Sequence, residues 1–570
     1  GGRMRVPLEV EKQIEREKIA AYVVGHLPII KSYAVKIGLV DIINDLIPSQ
    51  MDVDPGTVFL GMVMDTLSGR TPLYRLDEFF QDQDTELLLG KRISPAAFND
   101  YNVGRVIDKA YEIGSIKIFS AISKRAVDVF EVDNRHVSFD TTSVSVFGDY
   151  DLYSEDAESR ILKITHGHSK DHRPDLKQFL ISMLCVDRSV PVFGKTEDGN
   201  GSDKTINNEI LTSISKRMAA HGLLPGAFIY IADSAMVTQK NLLAIGETTL
   251  FISRLPANYK ECLRVIKDAI EKDQWQDIGI LSSTKPTVKR PAAQYKAYES
   301  EVELYGKKYR AVVIHSSAHD KRRQKRIDRE LKADRKVLED QCKQTYKKDF
   351  FCLADAQAAQ EELSKTKCKY YVLNTQIEQR PKYKRGRPKG GIKEVKQMRY
   401  GLLATITEDE KSVSKLRQQA GCFVMLTNVA MEGEDSYDAK DILKAYKDQY
   451  GIEQNFGFLK DPVIVNSIFL KRPERIEVLG LVLLLSLLIW RLIERQMRQY
   501  VEREKRDLPG WKKRRTTRPT TFMLMTNFQR IMIIKIGANR QLDKPFTEKQ
   551  MEYLVSLKVD PNSFIKPGAG

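Results

Sequence analysis

The polar and apolar positions fall into three rhythms. Residues 4 to about 125 repeat apolar groups at helical spacing, as in Ile29 to Ile47. Asp54-Pro55 and Ser94-Pro95 each place a capping side chain before a proline, which opens a helix. This predicts helices from Val58 to Leu67 and from Ala96 to Ile107. From about 130 to 256 a two-residue period takes over. His136 to Phe147, Lys177 to Val186 and Ala227 to Ala232 read as strands, with β-branched and aromatic residues enriched. Ser202 to Gly222 and Val237 to Gly246 read as helices, and Thr249 to Ser253 as a further strand. The longest apolar run, Val478 to Trp490, is too short to span a bilayer and reads as a buried core helix that continues past Arg491.

Two acids interrupt the strand rhythm. Asp140 sits inside the first strand, and Asp233 ends the apolar run Ala227 to Ala232. An acid at the end of a buried strand opens onto the rim of a sheet, where ligands of open α/β folds bind. A third polar pattern lies far downstream. Tyr446, Gln449, Glu453 and Lys460 follow one another at steps of three, four and seven. On a helix those steps return to one face.

These residues together resemble the DDE transposases of bacterial insertion sequences, in the subgroup whose third-acid helix reads Tyr-x2-Arg-x3-Glu-x6-Lys. Gln449 stands where that pattern has Arg, so a charge contact is lost there. Gly167 to Gln178, with its Lys-Asp-x-Arg-Pro-Asp stretch, is similar to the segment that follows the first acid in that family. The resemblance covers roughly residues 130 to 500. It implies an α/β, RNase H-like (retroviral integrase-like) catalytic core: three strands, a helix, the strand carrying the second acid, a helix and a strand.

The same resemblance implies the chemistry. Asp140, Asp233 and Glu453 would be the catalytic acids and would hold two Mg²⁺ (or Mn²⁺) ions, with Asp140 as the shared ligand. Tyr446, Gln449 and Lys460 would flank Glu453 on the DNA side. The substrate would be double-stranded DNA, transposon ends and target alike, handled by a homodimer. A non-transposing nuclease of the same fold and a domesticated DNA-binding protein are the competing readings.

The spacing between acids also divides the chain. Asp233 and Glu453 are 220 residues apart, too far for a loop. The expected organisation is a helical N-terminal domain over 4–128 and a core over 129–256 and 421–500. An insertion domain over 257–420 and a basic C-terminal region over 501–570 complete it.

Composition narrows the partner. The 570 residues carry a net charge of +16, which favours a polyanion. Residues 381–399 hold eight Lys or Arg against one Glu, around Arg385-Gly386-Arg387-Pro388, a tetrapeptide similar to the core of an AT-hook. Lys384, Arg385, Arg387 and Lys389 are therefore candidate DNA contacts, as are Lys512, Lys513, Arg514 and Arg515. Lys321 to Lys336 is also basic, but at i,i+4 spacing it is partly self-paired and reads as an exposed helix. Trp275, in the insertion, is a candidate for stacking on a base. The six cysteines include no C-x-x-C pair and read as reduced thiols. Reduced thiols fit a cytosolic protein, and the resemblance implies a bacterial or archaeal cytoplasm and association with the nucleoid.

Overall fold

The computed structural model describes residues 18–69, 75–147, 162–167, 176–187, 189–282, 291–366, 368–386, 389–449, 463–464 and 474–569. The protein is mixed α/β. Its chain divides into two compact units, Gly1–Ile252 with Ala445–Gly570, and Ser253–Lys444.

The first unit opens with a short strand, β1 (Ile19–Val23), then helices α1 (Leu27–Lys36), α2 (Leu39–Leu46), α3 (Pro55–Leu67), α4 (Leu76–Gln81), α5 (Thr85–Leu89), α6 (Asp100–Ile113) and α7 (Ser115–Val129). The apolar run 29–47 is two helices, because Gly38 adopts a left-handed conformation (φ 64°) that ends the first turn sequence. Asp54 caps α3 by accepting from Thr57 N at 2.9 Å. Burial alone would raise its carboxyl, but hydrogen bonds from Lys91, Asn44 and Thr57 hold it down at about 2. The second Ser-Pro device behaves differently. Pro95–Phe98 is a single 3-10 turn, and α6 starts later, capped by Asn99, whose side chain accepts from Asn102 N.

The central sheet of this unit follows: β2 (His136–Phe147), β3 (Lys177–Val186), β4 (Val190–Glu197), helix α8 (Asp203–Ala219), β5 (Ile229–Ile231), helix α9 (Gln239–Ile245) and β6 (Leu250–Leu255). The spatial order is β4-β3-β2-β5-β6. β2–β3 and β3–β4 are antiparallel, whereas β2–β5 and β5–β6 are parallel. β4 carries Pro191 and Gly194, so its sequence does not read as a strand. Proline is tolerated on a strand at the end of a sheet, where no neighbour needs its missing N–H.

The second unit comprises α10 (Lys260–Lys272), β7 (Gln276–Ile280), β8 (Gln294–Leu304), β9 (Lys307–Ser316), α11 (Ser317–Tyr346), α12 (Leu353–Ser364), β10 (Tyr371–Tyr383), β11 (Val395–Glu408), α13 (Glu410–Gln419) and β12 (Cys422–Thr427). β12, β9, β8 and β7 run antiparallel side by side. β10 and β11 form a separate two-stranded ribbon. Ile327, Leu331 and Leu338 of α11 pack with Tyr370, Tyr371 and Val413 in an apolar cluster. Helix α14 (Ala439–Gln449) carries the chain back towards the first unit.

There the chain adds β13 (Val463–Ile464), α15 (Glu474–Glu504), β14 (Leu508–Pro509), β15 (Arg515–Thr516), α16 (Thr521–Phe528), β16 (Met532–Ile536), β17 (Asn539–Leu542) and α17 (Glu548–Leu557). Helix α15 contains the long apolar run. Among the described residues it is the one helix long and apolar enough to cross a membrane, and its most apolar stretch is buried. It lies close against β4. A Cβ at Gly194 would fall 2.4 Å from Leu484 Cδ1, and one at Gly480 would fall 2.1 Å from Thr196 Cγ2.

Residues read in sequence as two regions, 4–128 and 501–570, share one body. β1 pairs antiparallel with β16, from Ile19 opposite Ile536 to Val23 opposite Met532. The buried Lys31 donates to the carbonyls of Leu87 and Pro567, and Tyr33 donates to that of Leu557. Arg540, almost fully buried, pairs with Asp84 at 2.7 Å and Glu86 at 2.8 Å.

Candidate functional site

The site is built from the middle of β2 outward. Residue pairs fix the register: His136 lies opposite Ile229, Val137 opposite Tyr230 and Ser138 opposite Ile231. Arg135 ties the start of this pairing, its carbonyl accepting from Ile229 N at 2.7 Å and its guanidinium donating to Gly226 O at 2.9 Å. Ala232 N donates to Ile252 O, so the β5 backbone stays paired up to the residue before Asp233. Asp233 itself is extended (φ −77°, ψ 177°).

Counting two residues on from the Ser138–Ile231 pair therefore reaches Asp140 on one strand and Asp233 just past the end of the next. Residues two apart on a strand point to the same face, and neighbouring strands lie roughly 4.8 Å apart. The sheet thus brings together two of the three acids singled out in sequence.

Each has a local partner. Asp140 Oδ1 accepts from Thr141 N at 2.9 Å, and Asp233 Oδ1 accepts from Ala235 N at 3.0 Å, capping the turn Ser234–Met236. Asp140 is half-buried and Asp233 exposed. Beneath Asp140 lies Cys185, fully buried. Burial pushes its thiol up, the Asp140 charge pushes it further, and Arg491 of α15 opposes both.

Glu453 and Lys460 lie outside the described residues. Of the described chain on either side of them, Val463–Ile464 pairs with the end of β2. On one side, Asp448 is close enough for its charge to raise the His136 imidazole, although burial dominates and lowers it. On the other, β13 runs parallel to the end of β2, Val463 opposite Val146 and Ile464 opposite Phe147. Asp140 lies between His136 and Val146 on that strand. Tyr446 is buried on α14, within the packing of the protein. Gln449 ends the same helix.

The remaining candidates are spread over both units. Lys384 and Arg385 lie at the far end of the β10–β11 ribbon, where Lys384 pairs with Glu394 at 2.8 Å and Arg385 is exposed. Lys389 begins a 3-10 turn, and Arg387 lies outside the described residues. Lys512 and Arg514 are exposed in the connection between β14 and β15, which also contains Lys513. Arg515 is committed elsewhere. It holds Glu552 of α17 at 2.6 Å and donates to Asp507 O, which fastens the C-terminal helix. Trp275 is half-buried and already flanked, by Tyr298 and His315 at edge-on angles and by Lys296 Nζ 4.9 Å from its ring.

Sequence reading passed over Arg491. Its side chain is mostly buried, 3.7 Å from Glu494, and with Ser189, Arg495 and Arg498 it lines a cavity of about 130 Å³. The available signal was a cation placed directly after thirteen apolar residues.

Among the described residues no group of three His, Cys, Asp or Glu side chains could hold a metal ion. The pair Asp140 and Asp233 fits a hard divalent cation in part: both are carboxylates, each lies two residues beyond one strand pair, and Asp233 faces solvent. All six cysteines are free.

No curated protein matches the chain. Residues 19–124, the β1 and helical part of the first unit, match a family model described as a domain of unknown function (DUF4277).

Proposed function

We propose that the protein is a DDE transposase with an RNase H-like core, acting on double-stranded DNA. The observation that carries this reading is the placement of Asp140 on β2, two residues beyond the last pair with β5, and of Asp233 two residues beyond the end of β5. The strand order around them supports it: three antiparallel strands, then two parallel to the first, with α8 and α9 in the connections. That order and sense support reading the sheet as RNase H-like.

In this reading Asp140 and Asp233 would hold Mg²⁺ (or Mn²⁺) together with Glu453. Bound there, the metal pair supplies Lewis acidity at a phosphodiester. The protein's own part is to fix the carboxylates on a rigid sheet, so that none of their ordering has to occur when DNA arrives. Thr141 N and Ala235 N hold one oxygen of each acid in place. Lys460, Gln449 and the exposed cations Lys384, Arg385, Lys512 and Arg514 would hold the DNA backbone. The protein would bind the terminal inverted repeats, free 3′ ends and join them to target DNA as a homodimer, in a prokaryotic cytoplasm.

The test is a cleavage and joining assay on the DNA flanking the gene, with Mg²⁺ or EDTA, comparing wild type with Asp140→Asn. Metal-dependent nicks and joined products, both absent from the variant, are the expected result. Cleavage without joining would identify a nuclease instead. Retained binding without any cleavage would identify a DNA-binding protein.

A further inference from the structure

Helix α11 carries its charges on distinct faces. Its apolar side, with Ile327, Leu331 and Leu338, is buried. Most of its acids face cations of their own unit: Asp328 pairs with Arg417 at 2.8 Å, Glu330 with Arg326 at 2.9 Å and Glu339 with Arg335 at 2.9 Å. This leaves Arg322, Lys325, Arg329, Lys332, Lys336 and Lys343. All six are exposed, and among the described residues none makes an ion pair with a carboxylate. Their steps are three, four, three, four and seven, so they form one row along the helix. Glu339 and Asp340 stand between Lys336 and Lys343 on the same face, Glu339 paired with Arg335.

The geometry of the row selects a partner. At 1.5 Å per residue, the uninterrupted stretch from Arg322 to Lys336 spans about 21 Å, over half of one turn of B-form DNA. An ordinary solvated helix alternates its signs, whereas here one face keeps a single sign from Arg322 to Lys336, before Glu339 and Asp340 interrupt it. The row presents flexible point charges with no aromatic or amide groups among them, which suits phosphates and offers nothing for reading bases.

We propose that this row is a track for the backbone of a DNA duplex, a sequence-independent contact made by the second unit. The choice of DNA as the polyanion rests on the transposase reading; the row itself does not. Its task would be to hold duplex through electrostatics and counterion release, at a place separate from the carboxylates of the first unit.

The test uses the full-length protein and a fluorescent duplex of unrelated sequence, titrated across a salt series. The variant combines Lys325→Gln, Arg329→Gln, Lys332→Gln and Lys336→Gln. Removing four phosphate contacts should flatten the slope of log affinity against log salt by about 3 to 4. A charge-preserving set, Lys325→Arg, Arg329→Lys, Lys332→Arg and Lys336→Arg, should keep the wild-type slope. So should Arg326→Gln with Arg335→Gln, which removes only cations already paired. An unchanged slope in the four-fold glutamine variant, with wild type binding normally, overturns the track and leaves the transposase reading standing. Wild type that binds no duplex overturns the transposase reading. Loss confined to anionic lipid vesicles, with duplex binding unchanged, overturns the track in favour of a membrane surface.

Discussion

Asp140 on β2 and Asp233, just past the end of the neighbouring parallel strand β5, each lie two residues beyond the pair Ser138–Ile231. The chain separates them by 93 residues, and the sheet removes that separation. Two carboxylates so placed repel each other, and a cation shared between them relieves the repulsion. The substitutions Asp140→Asn and Asp233→Asn should therefore each reduce metal-dependent DNA cleavage by at least about 100-fold, the loss expected when a preorganised charge is removed. Duplex binding, measured by fluorescence anisotropy, should remain within a few-fold of wild type. Full activity in either variant would remove that acid from the site.

Glu453→Gln should give the same separation of cleavage from binding. Normal cleavage by this variant would mean that the third carboxylate comes from elsewhere, and the pairing of Val463 with the end of β2 would need another explanation.

His26 makes stability depend on pH. Its Nε2–H donates to Leu67 O at 2.7 Å, and burial lowers its folded value from 6.5 to about 4 despite that carbonyl. Between those values the unfolded chain binds a proton that the folded chain refuses. Stability should thus fall as pH drops from about 6.5 towards 4, by on the order of 3 kcal/mol across the window. His26→Gln keeps the donor and cannot titrate, so its thermal midpoint should vary less over the same range. An identical pH profile in both proteins would refute this assignment.

The C-terminal cations should separate by role. Arg515→Ala breaks the pair with Glu552 and should lower stability by about 1 kcal/mol, read as a shift in the urea midpoint. Lys512→Ala with Arg514→Ala should leave that midpoint in place and reduce the salt dependence of duplex binding. The opposite pattern would exchange their roles.

Gly194→Val should destabilise by about 1–3 kcal/mol, because the added side chain meets Leu484 of α15. Urea denaturation measures it, and no change would mean that α15 can shift away from β4 freely.

What could be read from the sequence was local. β2 and β3 have the bounds read from sequence, β2 by its alternating valines and serines and β3 by its apolar run, because both signals are visible within about ten residues. The cap at Asp54 was legible for the same reason. β4 was not, since Pro191 and Gly194 are allowed only by its place at the sheet's end. β1 read as part of a helical region because its partner, β16, lies more than 500 residues away. Asp140 and Asp233 could be singled out as acids within and at the end of strands, but their common offset from one strand pair exists only in the pairing. The engagement of Arg515 with Glu552 leaves no trace in a basic run.

The pairing of β1 with β16 has a consequence for how the protein is made. A ribosome delivers β1 more than 500 residues before its partner, and between them the chain leaves the first unit at Ile252 and re-enters it at Ala445. Contacts of such long sequence separation close slowly. Until residue 536 has emerged, the edge of β1 is open, and until Pro567 has emerged, one acceptor of the buried Lys31 ammonium is missing. An unfinished nascent chain therefore cannot complete its first unit, and a product cut short by a few tens of residues would be a substrate for quality control rather than a working copy.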